Sequence, residues 1–282
     1  HWGLEQTYKY FLQNHGWQSM DNHGCNIKAY VHAKMLVGID ESGNYIYTTD
    51  NAAYYLKDNR LEFGDGGDIR DIHTSINIVA HEFAHGIFHS LVNSLEIDDA
   101  ESNETKAINE GLGDIWGACV ENWATTNKQT WLIGEDIYYG NGSIRDMSNP
   151  KSKSHPNTYK GDYWYENPDC HSRAGVLDYW FYLLANGGSG INDNGYCYHV
   201  AGIGIEKAAQ IVFRAESSYM TCNTTYNDAC EYTIRSAQEL YDGSEVASTI
   251  EAWRAVGLLP DYYTRDNYRD DGSEPLHYVS DG

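Results

Sequence analysis

The chain has 282 residues, with 41 Asp and Glu against 19 Lys and Arg and a formal charge of −22. That balance excludes nucleic acid as a partner, because such affinity rests on Lys and Arg neutralising phosphates, and it argues equally against anionic membrane surfaces. No apolar run approaches the roughly 20 residues that a membrane helix needs, so the composition predicts a soluble chain that can bury a large core and attract cationic substrates.

Residues 1–22 open with a short helix that carries Leu4, Tyr8, Phe11 and Leu12 on one side. From 25 to 47 the period drops to two, with Ile27, Ala29 and Val31 alternating against Lys28, Tyr30 and His32, which is the mark of strand. Asp40-Glu41-Ser42-Gly43-Asn44 is a hairpin turn, and 45–49 is the return strand. A further strand covers 51–55, and Gly64-Asp65-Gly66-Gly67-Asp68 turns the chain again. Ile76, Val79, Ala80, Phe83, Ala84, Ile87, Phe88 and Leu91 then recur at spacings of three and four, which predicts a helix with Thr74 and Ser75 as natural caps. Its apolar residues lie on most sides, so the helix should be buried.

A second strong helix covers 106–123, and 127–168 is long, polar and Gly-rich. Helices follow at 174–186, ending at Gly187 as a C-cap, then at 203–219, 228–241 and 244–256, stopping at Gly257. These predict a helical bundle, with an irregular acidic tail after Leu259 and no internal repeat. Six cysteines form no C-x-x-C pair. The local Cys222–Cys230 pairing is favoured, then Cys170–Cys197, which leaves Cys25–Cys119; other pairings, and six free thiols, stay open. Disulfides would imply an oxidising compartment. The chain opens at His1 without Met or a visible signal peptide, which suggests a product processed from a larger precursor.

The buried helix carries His81-Glu82-Phe83-Ala84-His85, an H-E-x-x-H. Residues four apart on a helix share a face, so two imidazoles aim at one point with Glu82 beside it. That arrangement suits Zn²⁺, and the carboxylate is placed to act as a general base toward water. In the 106–123 helix, Glu110 and Asp114 are also four apart, with Gly113 and Gly117 along that side to let two helices approach. Glu110 is the candidate third ligand, and Asp114 would fix the far nitrogen of a ligand histidine. The competing reading is an exposed acidic face. His89 extends the histidine row by a turn and lies too far along to join the same ion, so core packing is expected of it.

H-E-F-A-H followed by A-I-N-E-G-L-G-D-I-W-G resembles the thermolysin-like metallopeptidases, the family of the elastase-type and vibriolysin-type secreted enzymes. Further similar segments follow in the family's order from Trp2 to Leu259: Asn51-Ala52-Ala53-Tyr54 with Phe63-Gly64-Asp65-Gly66, Ile133-Gly134-Glu135-Asp136, Ile144-Arg145-Asp146-Met147-Ser148-Asn149-Pro150, and His171 with Ala174-Gly175-Val176. There are departures. The gap from His85 to Glu110 is longer than the family's, with a loop inserted around 96–105, and it holds no tyrosine where the family has its active-site Tyr. Arg173-Ala174 replaces an Asn-Ser pair, and much of the family's N-terminal β-domain does not precede this stretch.

The resemblance implies an α+β fold in two lobes: a β-rich lobe at 1–91 ending in the metal helix, a helical lobe at 92–259, and the tail at 260–282. It implies a monomeric secreted zinc endopeptidase acting on peptides and proteins, with Zn²⁺ on His81, His85 and Glu110, Glu82 as base and His171 as oxyanion donor. Either Glu166 or Asp169 would hold His171, with Glu166 favoured. Arg145 would meet a substrate carbonyl, a surface salt bridge being the alternative. Ile78 and Ile144 would line an apolar pocket for the side chain after the scissile bond, and Asn51 and Ala52 would pair with substrate backbone along an edge strand. The family also binds Ca²⁺, and here Asn77, Glu121, Thr130, the Leu132 carbonyl and Glu135 occupy the corresponding positions, with Asn77 and Thr130 replacing acids. Two other readings are a zinc aminopeptidase, whose Gly-x-Met-x-Asn type motif is absent, and a zinc-stabilised binding or adhesion module.

Overall fold

Helix α1 (Trp2–His15) stops where Gly16 adopts a left-handed φ of 65° and its N–H turns back to the Leu12 carbonyl. The computed structural model describes residues 1–40, 42–92 and 103–259. The predicted 25–47 strand is interrupted at His32, whose φ is 58°, and becomes β1 (Lys28–Val31) and β2 (Met35–Ile39). Strand β2 pairs antiparallel with β3 (Tyr45–Thr48) through the expected turn, where Asp40 Oδ1 accepts the N–H groups of Ser42 and Asn44. The alternation in β1 does not bury one face, because all four of its residues are exposed.

A three-stranded sheet runs β1-β5-β4, with β4 (Ala52–Tyr55) antiparallel to β5 (Arg60–Phe63) and β1 parallel to it. Strand β4 is therefore an edge strand, and it packs on α2 (Ile76–Val92). Helix α2 is buried nearly all round, as its sequence predicts. Its main partner is α3 (Asn103–Ala124). The close approach depends on two glycines. A Cβ on Gly113 would lie 2.5 Å from His81 Nδ1, and one on Gly117 would lie 2.7 Å from the Asn77 carbonyl oxygen. Gly113→Ala is expected to destabilise the protein by about 1–3 kcal/mol through overpacking. The measurement is the urea midpoint, and an unchanged midpoint would refute the contact.

After α3 come the short β6 (Leu132–Ile133) and β7 (Arg145–Asp146), which pair antiparallel. The rest is mostly helical: α4 (Cys170–Arg173), α5 (Gly175–Asn186), the hairpin β8 (Gly188–Ile191) and β9 (Cys197–Val200), α6 (Ile205–Ser218), α7 (Tyr226–Leu240) and α8 (Ser244–Ala255). Helix α7 starts in a capping box between Thr225 and Asp228, and Trp180 stacks on Trp253 at 4.7 Å to join α5 and α8. The architecture is α+β, strand-rich at the N-terminal end and helical beyond. Among the described residues no helix is long and apolar enough to cross a membrane.

The cysteine pairings are corrected. All six thiols are free, so Cys222–Cys230, Cys170–Cys197 and Cys25–Cys119 do not form. Cys119 and Cys230 are buried within α3 and α7, Cys25 Sγ meets Ser19 Oγ at 3.3 Å, and Cys170 lies beside His171. Packing decides where a thiol points, and here it sends these side chains to other partners. The cysteines therefore supply no argument for an oxidising compartment. Residues 93–102, which hold most of the inserted loop, and the tail from 260 lie outside the described residues.

Candidate metal centre and active-site cleft

The helical spacing in α2 and the glycine contact with α3 bring three donor atoms together. His81 Nε2 lies 3.1 Å from His85 Nε2, and Glu110 places Oε2 3.3 Å from the first and Oε1 3.8 Å from the second. On their outer sides, His81 Nδ1–H donates to Asp114 Oδ1 at 2.8 Å and His85 Nδ1–H donates to Asn109 Oδ1 at 3.0 Å. Those bonds leave the two inner nitrogens as lone pairs facing each other and a carboxylate, and among the described residues Glu110 Oε2 is buried without a hydrogen-bond partner. Three converging lone pairs are stable only around a cation. A tetrahedral ion with ligands at 2.0–2.1 Å spaces them by about 3.3 Å, so the residues fit Zn²⁺.

The electrostatics agree. Burial opposes a charge on His81, yet Asp114 and Glu110 outweigh it and raise its pKa to about 10. Burial likewise pushes Glu110 up, and the surrounding histidines overcome it and hold the carboxyl well below its ordinary range. A field that holds a proton this firmly also favours a divalent cation.

Asp114 is fully buried between His81 and Arg145, whose Nη2 donates to Oδ1 at 2.6 Å and whose Nε donates to Oδ2. Arg145 is thus a buried ion pair and not a surface one, and among the described residues its Nη1 has no hydrogen bond. His171 Nδ1–H donates to Asp169 Oδ1 at 2.8 Å, and its Nε2 lies 3.6 Å from Glu110 Oε1. Cys170 above all, then Glu110 and Asp169, raise the His171 pKa against burial. The expected preference for Glu166 is corrected. Glu166 is exposed in the preceding turn, whereas Asp169 is the N-cap of α4 and splits its two oxygens between the Ser172 N–H and His171.

These groups open onto a cleft of about 560 Å³ lined by Asn51, Ala52, Ile78, Glu82, Ile144 and Arg145 together with the ligand residues and His171. His89 also reaches it, stacking on Tyr54 at 5.5 Å rather than joining the cluster. Arg70, His73, Asn109, His155 and Ser172 also line the cleft and escaped the sequence reading. Asn109 sits one helical turn before Gly113, so its position facing α2 was readable from that glycine. His155 comes from a loop and left no periodic signal.

The expected calcium positions are brought together in part. Asn77 Nδ2 donates to Glu121 Oε1 and to Glu135 Oε2, each at 3.1 Å, and to the Leu132 carbonyl at 3.4 Å. Thr130 makes none of these bonds.

The thermolysin metallopeptidase catalytic domain matches residues 1–89, and the thermolysin metallopeptidase alpha-helical domain matches residues 101–258. The chain belongs to the thermolysin metallopeptidase family. Bacillolysin of Bacillus amyloliquefaciens is 31% identical over 258 residues, covering 92% of this chain and 43% of its own length. Neutral protease NprE of Bacillus pumilus is 29% identical, with 92% and 75% covered. An extracellular elastase of Staphylococcus epidermidis is 28% identical, with 90% and 45% covered. This chain therefore spans less than half the length of the bacillolysin it matches. The solved precursor of protealysin, a metalloproteinase from Serratia proteamaculans, shares the fold, with a TM-score of 0.71 at 24% identity over 91% of this chain and 76% of that one.

Proposed function

We propose that this thermolysin-family chain is a zinc endopeptidase that hydrolyses internal peptide bonds. The carrying observation is the convergence of His81, His85 and Glu110 on one point, with both outer imidazole nitrogens already committed to Asp114 and Asn109. When bound, Zn²⁺ acts as a Lewis acid and lowers the pKa of water toward neutrality. Glu82 lines the cleft beside the triad; it takes a proton from the attacking water and returns it to the leaving nitrogen. His171, oriented by Asp169, donates from Nε2 to the oxyanion. Arg145 is held rigid by Asp114 and offers Nη1 to the substrate carbonyl beyond the cleaved bond.

Edge strand β4, preceded by Asn51, pairs with extended substrate backbone. Ile78 and Ile144 favour Leu, Ile, Val or Phe just after the cleavage point, with the modest discrimination an apolar pocket gives. The elastase relative is named as extracellular, and we take this chain to act outside the cell as well.

The test is cleavage-site mapping by mass spectrometry on a random peptide mixture, paired with metal analysis. Internal cuts before apolar residues, abolished by a chelator and restored by zinc, are expected. Trimming only from amino termini favours the aminopeptidase, and cleavage that survives chelation overturns the metal mechanism. His171→Ala is expected to lower kcat by about 10²–10³-fold, the effect of removing an oxyanion donor, with zinc content unchanged. An unaltered kcat would remove His171 from the chemistry.

A further inference from the structure

The family resemblance implies a Ca²⁺ ion among Asn77, Glu121, Thr130, Leu132 and Glu135, and the residues do not fit one. Calcium takes six to eight oxygens, but the group aimed into this cluster from α2 is an amide nitrogen. Its orientation is fixed from the other side. Asn77 Oδ1 accepts the Gly134 backbone N–H at 3.3 Å and the Ser75 hydroxyl at 2.8 Å, and a backbone N–H can only donate. Turning the amide over would set donor against donor there and acceptor against acceptor at the glutamates.

The remaining acid is engaged elsewhere: both oxygens of Asp136 accept from Lys128 Nζ at 2.5 Å. Among the described residues, Glu121 Oε2 and Glu135 Oε1 are buried without a hydrogen-bond partner. We infer that the Asn77 amide takes the place of the divalent cation and pins the first turn of α2 to α3 and to the 132–136 segment. The fold is then calcium-independent at this point.

The experiment uses the zinc-loaded 282-residue chain and reads thermal midpoint with and without about 10 mM CaCl₂, a level that saturates even weak extracellular calcium modules, alongside calorimetric Ca²⁺ titration. Wild type is expected to shift by no more than about 1 °C and to give no binding isotherm, whereas Asn77→Asp is expected to bind Ca²⁺ and gain about 5 °C. A wild-type gain matching the variant's overturns the inference, and so does a folded Asn77→Asp that ignores Ca²⁺. Should Asn77→Asp not fold, the wild-type measurements still decide: a Ca²⁺ isotherm, or a midpoint gain above about 1 °C, overturns the inference.

Discussion

Glu82→Gln is expected to keep one zinc per chain and lose about 10³–10⁴-fold in kcat, toward the upper end of what a positioned general base supplies. The reason is geometric. Glu82 lines the cleft and takes no part in the ligand triad, whose atoms are His81 Nε2, His85 Nε2 and a Glu110 oxygen. An amide of the same shape preserves packing in α2, where the side chain is nearly buried, and removes only the capacity to accept a proton. Metal analysis and turnover on the same preparation separate the two effects. Full turnover with bound zinc would dismiss Glu82 as the base, and loss of zinc would place it in the metal cage.

Asp114→Ala should show the largest loss of stability. Asp114 is fully buried and receives hydrogen bonds from His81 Nδ1 and from two nitrogens of Arg145. Removing one partner of a buried ion pair leaves an uncompensated charge, at about 3–5 kcal/mol. It also frees the His81 ring, and losing such an outer partner lowers metal affinity by about 10–100-fold. Asp114→Asn keeps an acceptor for His81 but gives up the charge opposite Arg145, so it should lie between wild type and alanine in both measurements. Denaturant unfolding and competitive zinc titration are the readouts. A wild-type midpoint in Asp114→Ala would contradict the buried pair.

Local patterns foretold some of this centre and missed other parts, for identifiable reasons. Helices α2 and α3 were legible because a 3.6-residue period writes the buried face directly into the sequence, and Gly113 and Gly117 marked the side on which the helices meet. The strands were less legible. Ile27, Ala29 and Val31 alternate, but β1 is exposed throughout, because alternation announces strand without saying whether another layer covers it. The partner of His171 was misjudged for a similar reason: Glu166 and Asp169 are close in sequence, and only the N-cap geometry of α4 turns Asp169 toward the ring.

The cysteines are the clearest separation. Their even number suggested disulfides, while packing sends Cys119 and Cys230 into the core of different helices. By itself the sequence determined which residues share a helix face, and hence that His81 pairs with His85 and that Glu110 falls in line with Asp114. Spacing of a few residues is enough for that, since a helix fixes it. Only the tertiary structure decided how far apart the two helices lie, that Asn109 and Asp114 hold the outer imidazole nitrogens, that Arg145 is buried, and that the Asn77 amide points its hydrogens at two glutamates. Each of those depends on contacts between segments 24 to 64 residues apart, which no local period encodes.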